Sequence, residues 1–269
     1  MTSGQHNIGR ALLATCVAAA ARAAEVIRDG AAPPHLRALQ WETKGRADFV
    51  SEVDRVAERV IAATVLARHA DAKLLGEELT PSTSIAHGLV FVVDPLDGTT
   101  NFLHGVPWYA VSVAALVDGA LTAGAVLNVA NGELFTATAG GGARLNGQPI
   151  EVSSITEPER ALVGTGFPFT GGTVVDEYLR TLPSIMRNVA GIRRPGSAAL
   201  DLTSVACGRF EAFWELSLSP WDIAAGLLII REAGGIVTDA SGAEAQVAHT
   251  SIVAGSPAMH AWLMKHLHA

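Results

Sequence analysis

The 269-residue chain holds only two cysteines, Cys16 and Cys207, in Ala/Val-rich surroundings. At most one bridge could form, so the sequence is read as carrying buried, reduced thiols in a reducing cytoplasm. Charge is sparse as well: 17% of residues are charged, with 19 basic against 26 acidic and a formal charge of −7. No Lys/Arg-rich run exists, which argues against nucleic acid or an anionic membrane surface as partner. No apolar stretch reaches the ~18 residues of a membrane span. The nine histidines are dispersed and the two cysteines lie far apart. A zinc-type cluster of nitrogen and sulfur ligands therefore has no support.

What is abundant is apolar residue, 49% of the chain, enough for a substantial core in one large domain or two packed halves. Residues 10–24, "RALLATCVAAAARAA", have the layout of a secretory leader. The helical charge pattern continues through Glu25, Ile27 and Arg28, so a structural first helix is expected instead. Between residues 50 and 66, Val53, Val56, Ala57, Val60, Ile61 and Val65 fall on one helical face, leaving Arg55, Glu58 and Arg59 toward water. Residues 89–93 form a buried-strand run, and the pairs Asp118-Gly119, Asn131-Gly132 and Asn146-Gly147 mark turns of an antiparallel meander. From about residue 155 strand and helix alternate: strand "ALVGTG", helix 174–189, strand 191–193, helix 197–207, strand "RFEAFWE". Then comes a helix capped by Ser219, with Pro220 at its first position, Asp222 completing an S-x-x-D box and Gly234-Gly235 ending it. Strand "SIVAGS" and a helix begun by Ser256-Pro257 close the chain. The expectation is a mixed α+β, α/β-layered fold with halves at 1–153 and 154–269 packed as one compact unit.

The stretch "LVFVVDPLDGTTNF", residues 89–102, ends its apolar run on Asp94 and sets Asp97 three positions later across Pro95. Two carboxylates at the mouth of a buried strand repel and lose hydration, which points to a cation between them. Glu77, beside Glu78, and Asp222 could join them, although a solvated glutamate pair and a capping-box acid explain those positions equally well. An oxygen-only set suits Mg²⁺ or Mn²⁺, and the Leu96 carbonyl could be aimed at the same ion. Gly98 permits a turn whose own amide and that of Thr99 make an anion nest, so the chemistry would be that of phosphate. "DPLDGTTN" is also good turn-forming sequence, and on the residues alone both readings stand. Phe102, Trp108, Trp214 and Trp221 are expected to pack rather than to stack on substrate.

Taken together, "GEE" at 76–78, "DPLDGTTNF" at 94–102 and "WDIAAGLLIIREAGG" at 221–235 resemble the inositol monophosphatase family, the Mg²⁺-dependent, lithium-sensitive phosphatases. "RRPGSAALDL" at 193–202 and "FWE" ending at Glu215 are similar to its inositol-phosphate branch. The resemblance implies a layered αβαβα sandwich of the sugar phosphatase type, a homodimer, and hydrolysis of a small phosphorylated polyol, most simply inositol 1-phosphate. It implies that Glu77, Asp94, the Leu96 carbonyl, Asp97 and Asp222 hold metal. Gly98 and Thr99 would bind phosphate, and Asp97 would border it. Glu77 and Thr99 would act on the attacking water, with Asp54 partnering Thr99. Gly196, Ser197, Ala198, Glu215 and Asp222 would meet the polyol. The Lys44–Asp48 loop, one residue short of the expected spacing, would be a further metal site. Rival readings are a related phosphatase for fructose 1,6-bisphosphate, histidinol phosphate or a nucleotide 3′-phosphate, and a non-catalytic partner of the transcription machinery.

Overall fold

A computed structural model of the chain describes residues 3–32, 36, 39–45, 48–168 and 173–268. Helix α1 (Ser3–Ala31) leads into a short hairpin, β1 (Trp41–Gly45) and β2 (Asp48–Ser51), and then α2 (Glu52–Leu66). A seven-stranded sheet follows in spatial order β3 (Lys73–Gly76), β4 (Leu89–Asp97), β5 (Ala110–Val117), β6 (Ala120–Asn128), β7 (Leu134–Thr138), β8 (Ala143–Leu145) and β9 (Gln148–Pro149), with the short α3 (Thr99–Leu103) after β4. The second sheet has five strands: β10 (Leu162–Thr165), β11 (Gly191–Arg193), β12 (Ala212–Leu218), β13 (Ile236–Thr238) and β14 (Thr250–Gly255), in the order β11-β10-β12-β14-β13. Its helices are α4 (Thr173–Met186), α5 (Ala198–Ala206), α6 (Pro220–Glu232) and α7 (Pro257–Leu267).

Three apolar clusters define the layering. Leu12, Ala19, Ile27, Ala57 and Ile61 of α1 and α2 pack on Phe91, Val93, Val111 and Val113 of the seven-stranded sheet. The other face of that sheet, through Val90, Val92 and Ala114, meets α5 and α6, which also cover Phe213, Ile252 and Ala254 of the five-stranded sheet. The outer face of the second sheet, Val163, Trp214 and Val253, is closed by Tyr178, Ile185, Met259 and Leu263 of α4 and α7. The order helix–sheet–helix–sheet–helix is the αβαβα sandwich. It explains why "LVFVVD" is apolar without alternation: odd and even residues of β4 both face a helical layer, so neither side can be polar.

The turn pairs Asp118-Gly119 and Asn146-Gly147 adopt positive φ at both residues, and Gly132 does so in the third turn. The sequence reading missed β1, β2, β3 and β13, which have three to five residues each. β3 also pairs parallel to β4, so the first half is not purely an antiparallel meander. Such short runs carry too few residues for a period to register. Glu58 is a correction: it is 1% exposed, although helical periodicity places it toward water with Arg55 and Arg59. Among the described residues no helix is long and apolar enough to cross a membrane.

The layer between the sheets is tight where α5 crosses α6. A Cβ added to Gly226 would lie 2.6 Å from Leu202 Cδ1 and 2.8 Å from its Cβ. Gly226→Ala gains about 1 kcal/mol of helix propensity and loses about 1–3 kcal/mol to overpacking. The loss prevails, so the melting temperature should fall by a few degrees; a rise would show that the two helices separate freely.

Candidate active site

Strand β4 delivers two acids to one side by breaking its own pleat. Asp94 pairs with Ser112 and Asp97 with Ala110, so three steps along β4 match two along β5. Residues three apart on a regular strand face opposite sides; the bulge at Pro95-Leu96, where proline removes a ladder donor, returns Asp97 to the side of Asp94. That side faces α5 and α6, because Val90 and Val92 of the same strand parity pack there. Leu96 takes the other side and is buried against the α1/α2 layer.

Each acid is then fixed by backbone. The Leu96 amide donates to Asp94 Oδ1 at 3.0 Å. Asp97 Oδ2 accepts the Ala199 amide at 2.8 Å and the Ser197 hydroxyl, both at the start of α5. Asp222 Oδ2 accepts the Ser219 amide at 2.7 Å, the capping interaction expected at the start of α6. The Ser112 hydroxyl donates to the Trp221 carbonyl at 3.4 Å, tying β5 to the same helix start.

Burial is the largest cause raising the pKa of Asp94 and of Asp222, and their neighbours add to it. Asp94 is pushed well above the ordinary carboxylate range by burial, then by Glu77, Asp97 and Asp222. Asp222 is pushed up likewise, by burial and then by Asp97, Glu77 and Glu215. Burial raises Asp97 to about 6, against the hydrogen bonds from Ser197, Ala199 and Ala198. Four carboxylates thus share one electrostatic neighbourhood, and relief by a hard cation fits oxygen donors of this kind. Five oxygen donors gathered in one pocket to hold divalent cations is the sequence expectation. The Leu96 carbonyl lies 3.0 Å from the Thr99 hydroxyl, and among the described residues no three His, Cys, Asp or Glu side chains form a ready-made cage.

The Thr99 hydroxyl lies 3.0 Å from Asp54 Oδ1 as well as from the Leu96 carbonyl. Asp54 is 1% exposed, and its Oδ2 accepts the Ser51 amide at 2.9 Å and the Ser51 hydroxyl at 2.6 Å in the capping box of α2. Burial raises the pKa of Asp54 against those hydrogen bonds. Gly98 has φ of +93°, and a Cβ there would stand 2.9 Å from the Trp108 carbonyl, so only glycine makes this turn unstrained.

The opposite wall comes from the second sheet. Glu215, half-buried on β12, is raised to about 8 by burial, with Arg194 opposing and Asp97 adding. Gly166 leaves it room: a Cβ there would fall 2.0 Å from its carboxyl carbon. Gly196 has φ of +97°. Ser197 and Ala198 open α5 and are almost fully buried. The side chains of Lys44 and Asp48 lie outside those described. Phe102 and Trp214 are buried, and Trp108 and Trp221 pack against the layer between the sheets, as expected of packing residues.

Three participants escaped the sequence reading. Asn101 Nδ2 donates toward the carbonyls of Trp108 (2.7 Å), Pro195 (2.9 Å) and Gly196 (3.4 Å), pinning the β4 turn to the second sheet. Asp201, 2% exposed on α5, is held well above the ordinary range by burial and by Asp97 and Glu215, with the Trp108 indole opposing. Glu58 is the third. Asn101 read as a turn former and Asp201 as part of a helix; spacing alone carries no sign that either side chain points inward.

Residues 10–269 match the model of the inositol monophosphatase family. An inositol-1-monophosphatase of Rhizobium meliloti is 48% identical over 220 residues, 81% of this chain and 82% of that protein. A putative Nus factor SuhB of Neisseria meningitidis serogroup B is 42% identical over 253 residues, 94% of this chain and 96% of that one. The crystal structure of the extragenic suppressor protein suhB from Bartonella henselae superposes with a TM-score of 0.88 at 39% identity, covering 96% of this chain and 98% of its own.

The raised acids give stability a defined pH slope. An acid whose folded pKa exceeds its ordinary value makes the fold hold protons that the unfolded chain releases, so stability is greatest below the ordinary value and declines as pH climbs toward the folded one. For Glu215 that window runs from 4.5 to about 8. In chelator the melting temperature should fall from pH 6 to pH 8, and Glu215→Gln should shrink that fall; a temperature that rises over this range in the unmutated protein would contradict the assignment.

Proposed function

Since this chain belongs to the inositol monophosphatase family, we propose that it is a divalent-cation-dependent hydrolase of phosphate monoesters, acting on a small phosphorylated polyol of the inositol 1-phosphate kind. The observation that carries this reading is the set of four carboxylates in one electrostatic neighbourhood, Glu77 just after β3, Asp94 and Asp97 at the end of β4, and Asp222 at the start of α6. Hard oxygen donors fit Mg²⁺, with Mn²⁺ as substitute, and Glu77, Asp94, Asp97, Asp222 and the Leu96 carbonyl would hold it. When bound, such cations supply Lewis-acid neutralisation of the phosphoryl oxygens and lower the pKa of a coordinated water.

The remaining work falls to the chain. Gly98 and Thr99 present their amides to the phosphoryl group across the left-handed turn, where no side chain intervenes. The Thr99 oxygen, hydrogen-bonded to Asp54, orients the attacking water and passes its proton toward Asp54 Oδ1. Burial already raises the proton affinity of Asp54, so this acceptor is suited to the transfer. Glu77 completes the orientation of the water. Gly196, Ser197, Ala198, Glu215 and the outer oxygen of Asp222 border the polyol hydroxyls. Glu215, with a folded pKa of about 8, stays protonated near neutrality and can donate to a hydroxyl as well as accept from one. Uncatalysed monoester hydrolysis is so slow that accelerations reach about 10²¹-fold, and positioning with charge neutralisation has to supply most of that.

A second reading has its own support in the 42%-identical relative named a putative Nus factor: a role beside the transcription machinery independent of hydrolysis. A transcription-elongation assay in which Asp97→Asn performs like the unmutated chain would favour it.

Two outcomes test the hydrolase. Asp97→Asn should lower phosphate release from inositol 1-phosphate by at least about 10³-fold, the scale of losing a transition-state charge contact, with the melting temperature within a few degrees of the parent. Activity near the parental level would contradict the assignment. Mg²⁺ or Mn²⁺ at 100 times its dissociation constant should add about 2.7 kcal/mol of stability. With the cation concentration held fixed, the gain should be greater at pH 8 than at pH 6, since protonated carboxylates must first be ionised to bind and the dissociation constant rises as pH falls, and chelator should abolish both the gain and turnover. Turnover that persists in excess chelator would overturn the cation dependence.

A further inference from the structure

Glu58 is a glutamate buried to 1% exposure on a helix whose neighbouring charges, Arg55 and Arg59, pair at the surface with Glu42 and Glu52. A carboxylate in that position is retained only if something inside receives it. What receives it is backbone. The Glu78 amide donates to Glu58 Oε2 at 2.7 Å and the Leu79 amide to Oε1 at 3.1 Å, so each oxygen takes one of the two peptide N–H groups that follow Glu77. The residue before Glu77 is fitted to the same group: a Cβ on Gly76 would lie 2.2 Å from Glu58 Oε1. The Gly76 amide in turn donates to Thr80 Oγ1 at 3.0 Å, closing the loop around Glu77.

Glu58 lies four residues after Asp54 on the same buried face of α2. One turn of helix therefore carries two carboxylates: Asp54 reaches Thr99, and Glu58 reaches the loop that presents Glu77.

We infer that Glu58 is a positioning residue that sets the cation affinity of the site by clamping the 76–79 loop, while Asp54 governs the rate. This rests on the reading of Glu77 as a cation ligand. Charge-assisted bonds to two amides fix the loop backbone to within hydrogen-bond tolerance. Groups that orient metal ligands typically contribute 10–100-fold in affinity when removed. A glutamine at 58 can keep only one of the two bonds, because its amide nitrogen would face a peptide N–H, donor against donor.

The test is Mn²⁺ binding to the full-length protein, followed by electron paramagnetic resonance, beside the Mg²⁺ dependence of phosphate release from inositol 1-phosphate. Glu58→Gln should raise the Mn²⁺ dissociation constant roughly 10–100-fold and shift the Mg²⁺ needed for half-maximal activity in parallel, with the larger part of kcat regained at saturating metal. Gly76→Ala reaches the same contact from the other side with every charge kept, and should weaken Mn²⁺ in the same direction even if Glu58→Gln does not fold. Asp54→Asn should lower kcat and leave the Mn²⁺ constant within about threefold, a smaller change than any ligand-orienting loss. A purely structural Glu58 would lower the melting temperature of both variants and leave the Mn²⁺ constant at the parental value; that result overturns the inference while the hydrolase reading stands. A parental protein that neither binds Mn²⁺ nor releases phosphate sinks that reading and this inference with it.

Discussion

Repulsion among carboxylates in a space with little water is the constraint around which the molecule is built. Burial raises the proton affinity of Asp94, Asp97 and Asp222, the charge of Glu77 adds to it at Asp94 and Asp222, and each of these three aspartates is oriented by a backbone amide, Asp97 by the Ser197 hydroxyl as well. An arginine at the cluster would neutralise it and leave nothing for a cation to do. Amides of Leu96, Ala199 and Ser219 orient one oxygen of Asp94, Asp97 and Asp222 respectively without supplying a full charge. The site keeps its negative excess, and the protein's stability carries the cost of it.

That arrangement decides the fold's details. A regular β4 would send Asp94 and Asp97 to opposite layers, so the strand bulges at a proline. Both faces of β4 are covered by helices, so the bulge cannot relax toward solvent. Two helices begin at the cluster, and their first turns supply the amides and the favourable end of the dipole to Asp97 and Asp222. The capping box of α6 is thus two things at once: a helix start, and the placement of an acid.

Much of this was legible in the residues. Apolar runs, Asn-Gly and Asp-Gly turns and the Ser-Pro-x-Asp start located the long elements, and the three acidic motifs carried the family. The illegible parts share a cause. Glu58 has the spacing of a solvent-facing residue, and only the loop packed against α2 makes that face interior. Asn101 and Asp201 sit in segments whose local chemistry is fully satisfied by turn and helix. β1, β2, β3 and β13 have only three to five residues each, too few for a period to register, and β3 and β13 take their strand character from partners beyond a long connection, which no short window contains.

Asn101 carries two amide hydrogens and points them at three carbonyls, one from the segment after α3 and two from the approach to α5. It acts as a latch between the sheets: the turn that would cradle phosphate and the Pro195-Gly196 segment that would border the sugar are fastened by one side chain. Sliding one sheet against the other therefore cannot widen the space for a bulkier alcohol without also disturbing the phosphate cradle. Changes in what the pocket admits have to come from side chains on its rim, with the two sheets kept in register.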